Sequence, residues 1–183
     1  MARKGLSRRD VLRAGAAAAT GTAVGGAVPL RAFVLPPDGP RALTREQYAL
    51  LDELTEILIP ADEHSGGARA AGVAAYIDGR LAEAFDRSEL TRFVEGLRLV
   101  DTLATTRAGR RFLDLDPAGR EAIVAELARD ELRPETPGGR FFVDLKRRTV
   151  HAYYTSRIGI HDDMGYLGNT MQEEYSGIDV SRK

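Results

Sequence analysis

Residues 42–60 read ALTREQYALLDELTEILIP, and this stretch decides the fold class. Thr44 and Gln47 stand three apart, the spacing at which each side chain satisfies the other's backbone N–H at a helix start. Leu43 and Tyr48 flank the pair as a hydrophobic staple. Leu51, Leu54, Ile57 and Leu58 continue the apolar stripe at helical spacing, and Pro60 stops it. A helix with both ends written into the sequence predicts that its neighbours follow the same rule.

They do so in turn. After the loop PADEHSGGARAAG (60–72), Val73, Tyr76, Ile77, Leu81, Ala84 and Phe85 mark a second helix. Ser88 is a candidate cap for a third, with Leu90, Phe93, Val94, Leu97, Val100, Leu103 and Ala104 on one side. Asp116-Pro117 is a cap followed by proline at the first helical position, and Ile123, Val124 and Leu127 follow. RPETPGG (133–139) breaks the chain. A fifth helix runs from about Arg140 to Tyr154, with Phe141, Phe142, Leu145, Thr149 and Tyr153 near one face. No run alternates with period two. The expected fold is all-α: about five helices in an irregular orthogonal bundle. After Ser156 the period is lost, yet Ile158, Ile160, Met164, Tyr166, Leu167, Met171 and Tyr175 remain. A free tail carries fewer large apolar residues, so an extended, partly irregular C-terminal segment is expected to lie along a surface, the chain's own or a partner's.

Upstream of the first helix the composition changes. Arg3, Lys4, Arg8 and Arg9 precede a stretch, residues 11–30, whose only charge is Arg13 and which is mostly Ala, Gly, Thr and Val. A basic start, an apolar middle and a small-residue exit form an export signal. The pair Arg8-Arg9 with Leu12 points to the twin-arginine route, which carries folded cargo. A membrane-spanning helix is the alternative, but four glycines, Arg13 and Pro29 suit neither a helix nor lipid. Gly25-Gly26-Ala27 and Leu30-Arg31-Ala32 both remain as cleavage points. The expected organisation is a signal segment at 1–34, a Pro-rich linker at 35–42 and one helical domain at 43–183. The product is expected to be periplasmic, either free or held at the membrane.

Composition narrows the chemistry. The first 34 residues hold six of the 26 basic residues and one of the 27 acidic ones, which leaves 20 basic and 26 acidic residues in the body. A net charge of −6 disfavours nucleic acid, whose phosphates need a positive surface. There is no cysteine, so thiolate metal sites, cysteine-held iron–sulfur clusters and Cys-linked haem are excluded on this chain.

No group of residues makes a complete catalytic, cofactor or metal site. Asp62-Glu63-His64 are three adjacent loop residues with no second cluster at metal-ligand spacing, and a solvated loop is the plainer reading. His161-Asp162-Asp163 lacks the alternating oxygens of a calcium loop and reads as a capped turn. His151 has no nucleophile at motif spacing, and Ser156 lacks the Gly-x-Ser-x-Gly surround of a hydrolase. No phosphate-binding glycine loop is present. Tyr153-Tyr154-Thr155-Ser156 reads as core at a helix end. Arg140, Lys146, Arg147 and Arg148 form a basic patch that faces solvent, an acidic partner or neighbouring carboxylates.

Two long stretches carry a resemblance. LLDELTEILIPADEHSGGARAAGVAAYIDGRL (50–81) has a Leu-rich helix ending in Ile-Pro-x-Asp, a Gly/Ala loop and a helix bearing Val73, Tyr76, Ile77 and Leu81. FFVDLKRRTVHAYYTSRIGIHDDMGYLGNT (141–170) has Phe-Phe, Tyr-Tyr-Thr-Ser and Tyr166-x-Gly168-Asn169. With the twin-arginine signal, their order and spacing resemble the small subunit (subunit 3, or gamma chain) of gluconate 2-dehydrogenase. The resemblance implies a subunit without cofactor of its own. Its partner would be a large flavoprotein of the glucose–methanol–choline type carrying FAD, commonly with a cytochrome c subunit. The small subunit would escort the folded flavoprotein through the twin-arginine translocase and stabilise it. The C-terminal motif reads TSRIGIHDDMGYLGN where better-known members carry Asp-Pro and a double glycine, so the substrate of the complex stays open. On this reading residues 141–175 supply much of the interface, with Phe141, Phe142, Tyr153, Tyr154, Ile158, Tyr166, Asn169 and Tyr175 as contacts. Two alternatives stand beside it. One is a free-standing exported helical protein binding a small ligand at the 60–70 loop and Tyr153/Tyr154; the other is an enzyme in its own right.

Overall fold

The computed structural model describes residues 39–166 and 168. The signal residues Arg8, Arg9 and Leu12, the first half of the linker, and Asn169 and Tyr175 lie outside the described residues. Among the described residues there are five α-helices and no strand: α1 (Arg45–Leu58), α2 (Val73–Glu83), α3 (Arg87–Ala108), α4 (Pro117–Leu127) and α5 (Pro137–Tyr154). The all-α expectation holds. No helix among these residues is long and apolar enough to cross a membrane.

The start of α1 is built as the sequence predicts. Thr44 N donates to Gln47 Oε1 at 3.0 Å and Gln47 N to Thr44 Oγ1 at 3.2 Å, and the staple residues Leu43 and Tyr48 are both buried. Asp116 caps α4, accepting from Gly119 N at 2.8 Å. Two starts differ from expectation. Asp86, not Ser88, caps α3: its carboxylate takes Ser88 N at 2.8 Å and the Ser88 hydroxyl at 2.6 Å. Helix α5 begins three residues early, at Pro137, because Thr136 caps it through Gly139 N at 2.9 Å. Phe85, read as part of the second helix, lies beyond its end and is fully exposed.

Helix α5 is the hub and packs against each of the other four. Leu51 and Leu54 of α1, Ile77 and Leu81 of α2, Leu97 and Val100 of α3 and Leu145 and Tyr153 of α5 are all nearly inaccessible. Each such side chain removed from water contributes about 1.5–3 kcal/mol. Gly96 of α3 sits where Phe141 of α5 presses in, and a methyl group there would overlap the Phe141 ring. Phe141 in turn meets Phe93 edge-on at 5.5 Å between ring centroids, a preferred aromatic geometry.

Polar groups are also taken inside, and Arg120 Nε is the one buried side-chain polar atom among the described residues without a hydrogen-bond partner. Arg69, from the loop between α1 and α2, donates to Asp52 at 2.5 Å and to Glu53 at 2.8 Å, and its backbone N–H donates to Glu56 at 2.8 Å. Arg120 of α4 reaches the other oxygen of Glu53 at 2.8 Å. Burial pushes the Asp52 carboxyl above the usual range, and Arg69 offsets part of that. Burial, with Asp52 and Asp78 nearby, raises the Tyr48 phenol to about 12.

Candidate functional site

The residues expected to meet a partner divide into two sets. Phe141, Phe142 and Tyr153 are buried in the core. They shape the far side of α5 and offer no surface of their own. Tyr153 also ties the α1–α2 loop to the end of α5. Its hydroxyl donates to the Gly66 carbonyl at 3.0 Å and hydrogen-bonds the buried Ser65 hydroxyl. Ile158 is half-buried against the core. Tyr154 and Tyr166 are 41% and 49% exposed.

The chain after α5 is partly irregular, as expected, and opens with one ordered turn. Residues Ile158–Asp163 form a wide helical turn of the i→i+5 type, a form found mainly as single turns. It starts where Gly159 lies so close to the Tyr153 carbonyl that any Cβ would collide with it. Glycine is therefore required for this close backbone approach. The Tyr166 carbonyl lies 2.8 Å from His161 Nδ1, and Tyr166 N donates to Ile160 O at 3.0 Å. A hydrogen bond to Asp163 raises the Tyr154 phenol above its ordinary pKa, which places the turn beside the last exposed ring of α5.

Tyr76 completes this face and was not legible as part of it. On α2 it projects outward between the buried Val73 and Ile77, and its ring lies 6.0 Å from that of His151 on α5, with the hydroxyl 3.3 Å from His151 Nε2. Among the described residues eight large apolar side chains are exposed, and five of them, Tyr76, Val150, Tyr154, Met164 and Tyr166, belong to α2, α5 and the turn after it. Phe85, Leu99 and Leu132 lie on other elements or loops. Exposed apolar groups gathered on two packed helices and the segment that follows them mark a recognition surface more than scattered ones do.

The other candidates settle into structural roles. Asp62 Oδ1 accepts from His64 N and Ser65 N, both at 2.8 Å; these backbone bonds hold its carboxyl below the usual range. The His64 ring pairs with the exposed Glu63. Among the described residues no three His, Asp or Glu side chains converge as a metal site. The basic patch on α5 meets its own carboxylates: Lys146 with Glu131 at 2.7 Å, Arg147 with Asp144 at 2.7 Å, and Arg148 with Asp144 and Glu89, each at 2.8 Å. Arg140 donates to the Glu135 carbonyl at 2.6 Å. An open groove of about 440 Å³ lies elsewhere, lined by Thr44, Gln47, Leu50, Leu97, Asp101 and Arg111 among others. Its Arg111 is neutralised by Glu46 and Asp101.

In comparison with known proteins, the family model described as gluconate 2-dehydrogenase subunit 3 matches residues 45–171. No curated protein matches, and no solved structure does.

Proposed function

This chain belongs to the gluconate 2-dehydrogenase subunit 3 family, a family of accessory subunits, and from that premise we propose that it is the non-catalytic small subunit of an exported flavin-dependent dehydrogenase. Its partner is a large flavoprotein of the glucose–methanol–choline type, which carries the FAD, and a cytochrome c subunit completes some such complexes. The chain binds the flavoprotein, stabilises it and supplies the twin-arginine signal at Arg8, Arg9 and Leu12 that takes the pair across the membrane into the periplasm.

The observation that supports this reading is the exposure of Tyr76, Val150, Tyr154, Met164 and Tyr166 on two packed helices and the segment that follows them. Tyrosine and methionine suit such a surface: a large ring or a pliant thioether gives contact area, and the phenol keeps a polar edge while the site is uncovered. The family match ends at residue 171 and so covers this whole side, including the turn after α5.

Co-expression with the neighbouring flavoprotein tests it. Tyr76→Ser with Tyr154→Ser should reduce co-purified flavin by about tenfold or more, as loss of central aromatic anchors does. The thermal midpoint of the chain alone should stay within about 3 °C, because both rings are already two-fifths exposed. Undiminished flavin would remove this face from the interface. Arg8→Lys with Arg9→Lys tests the escort role separately: a flavoprotein that reaches the periplasm equally well sinks it.

A further inference from the structure

The chain enters α1 across a carboxylate that belongs to another helix. Asp78 lies in the middle of α2, where aspartate is a weak helix former, and it is 1% exposed. Its oxygens accept three consecutive backbone N–H groups: Arg41 at 2.5 Å, Ala42 at 3.0 Å and Leu43 at 2.9 Å. The next N–H, of Thr44, is taken by Gln47. All four donors ahead of α1 are thus satisfied by side chains, one from α1 and one from α2. Arg41 adds a second tie, its guanidinium 3.1 Å from Glu83 near the end of α2.

We propose that Asp78 is a latch that makes docking of residues 41–43 conditional on a folded domain. With α2 formed and packed, the carboxylate stands ready and Arg41–Leu43 close on it. With α2 out of place, the three N–H groups have no acceptor and the chain ahead of Thr44 swings free. A buried carboxylate stripped of these donors is itself strongly unfavourable, so the two events are coupled in both directions. The role in export rests on the proposed twin-arginine reading: a translocase that takes folded cargo would act on a chain whose residues 41–43 are held only when the domain is folded.

Residue-resolved hydrogen exchange on the full-length chain tests the latch, with trypsin nicking after Arg41 as a second readout. Val100, in the core of α3, serves as the internal reference. Asp78→Asn should speed exchange at Arg41, Ala42 and Leu43 about tenfold or more, since bonds to a charged acceptor are lost. Val100 should change by less than about threefold, and nicking should rise in step with 41–43. Glu83→Gln, which leaves Asp78 intact, should loosen Arg41 alone to a smaller degree. Unchanged exchange at 41–43 in Asp78→Asn overturns the latch. So does an equal rise at Val100 combined with parent-like behaviour of Glu83→Gln, because Asp78 would then be a general stability group. Export is scored on the same Asp78→Asn chain. A local opening at 41–43 with export unimpaired keeps the latch and removes its export role.

Discussion

Gly96 shows how one missing methyl group sets the distance between two helices. Read alone, a glycine inside the run FVEGLRLV is a cost to α3 of about 1 kcal/mol against alanine. In the fold it is the hollow that receives the Phe141 ring. Gly96→Ala should therefore lower stability by about 1–3 kcal/mol despite the gain in helix propensity, measured as a shift of the urea midpoint with an unchanged slope. A stabilised variant would show that α3 and α5 have room to move apart. The sequence could not reveal this pairing, because nothing local links residue 96 to residue 141. The same applies to Asp52 and Asp78: their neighbours Leu51, Leu54, Ile77 and Leu81 announce a buried face, but their own partners come from distant segments.

At the scale of elements, local chemistry was legible wherever a cap stood beside a clear apolar run, as at Thr44 and Asp116. It was obscured at α5, where Thr136-Pro137 repeats the logic of Asp116-Pro117 but is followed by two glycines. Those glycines read as a breaker. Gly139 is needed because the Asp130 carboxylate occupies the place of its Cβ while accepting from Glu135 N, Thr136 N and the Thr136 hydroxyl. Thr136→Ala should cost about 1 kcal/mol as a lost cap, seen as a fall of roughly 3 °C in the thermal midpoint. Tyr153→Phe belongs to this scale too. It keeps the buried ring but removes the hydroxyl that holds Ser65 and Gly66. Amides of residues 65–68 should exchange faster while those of α3 do not. Unchanged exchange at 65–68 would show that the other ties, among them Asp62 and Arg69, secure the loop without the hydroxyl.

The whole molecule should weaken in acid, and the sign follows from its carboxylates. Backbone bonds from Thr136 hold Asp130 low, and Arg107 holds Glu126 low. Burial would raise Asp144, but Arg148 and Arg147 outweigh it and keep it low. Each contributes stability that is present above its unfolded pKa and is lost as the pH falls through its folded value. Asp52 acts in the opposite sense: burial raises it, so its contribution is present at low pH and lost as the pH rises through its folded value. The lowered groups outnumber it. The thermal midpoint should hold steady near neutrality and fall once the pH drops below about 4.5, the ordinary glutamate value. A midpoint that climbs in acid would make Asp52 the dominant group. Whole-molecule features were the least legible in the sequence. Periodicity put Phe141, Phe142 and Tyr153 on one face of α5, and only the family resemblance made them contacts; the core takes all three, and Tyr76 gained its place only when α2 set it beside His151.

The loop between α1 and α2 has two limbs of unequal freedom. Ser65 to Arg69 are fastened to Tyr153, Glu56 and Asp52, and Gly67 lies so close to Glu56 that a Cβ would stand 2.7 Å from its carboxylate. Glu63 and His64 project into water and touch little but each other. The chain has no cysteine of its own, so a fluorophore carried on Glu63→Cys would ride on a rigid base without breaking the Asp62 turn. It would offer a handle for following assembly that leaves both chain termini native and the aromatic face uncovered.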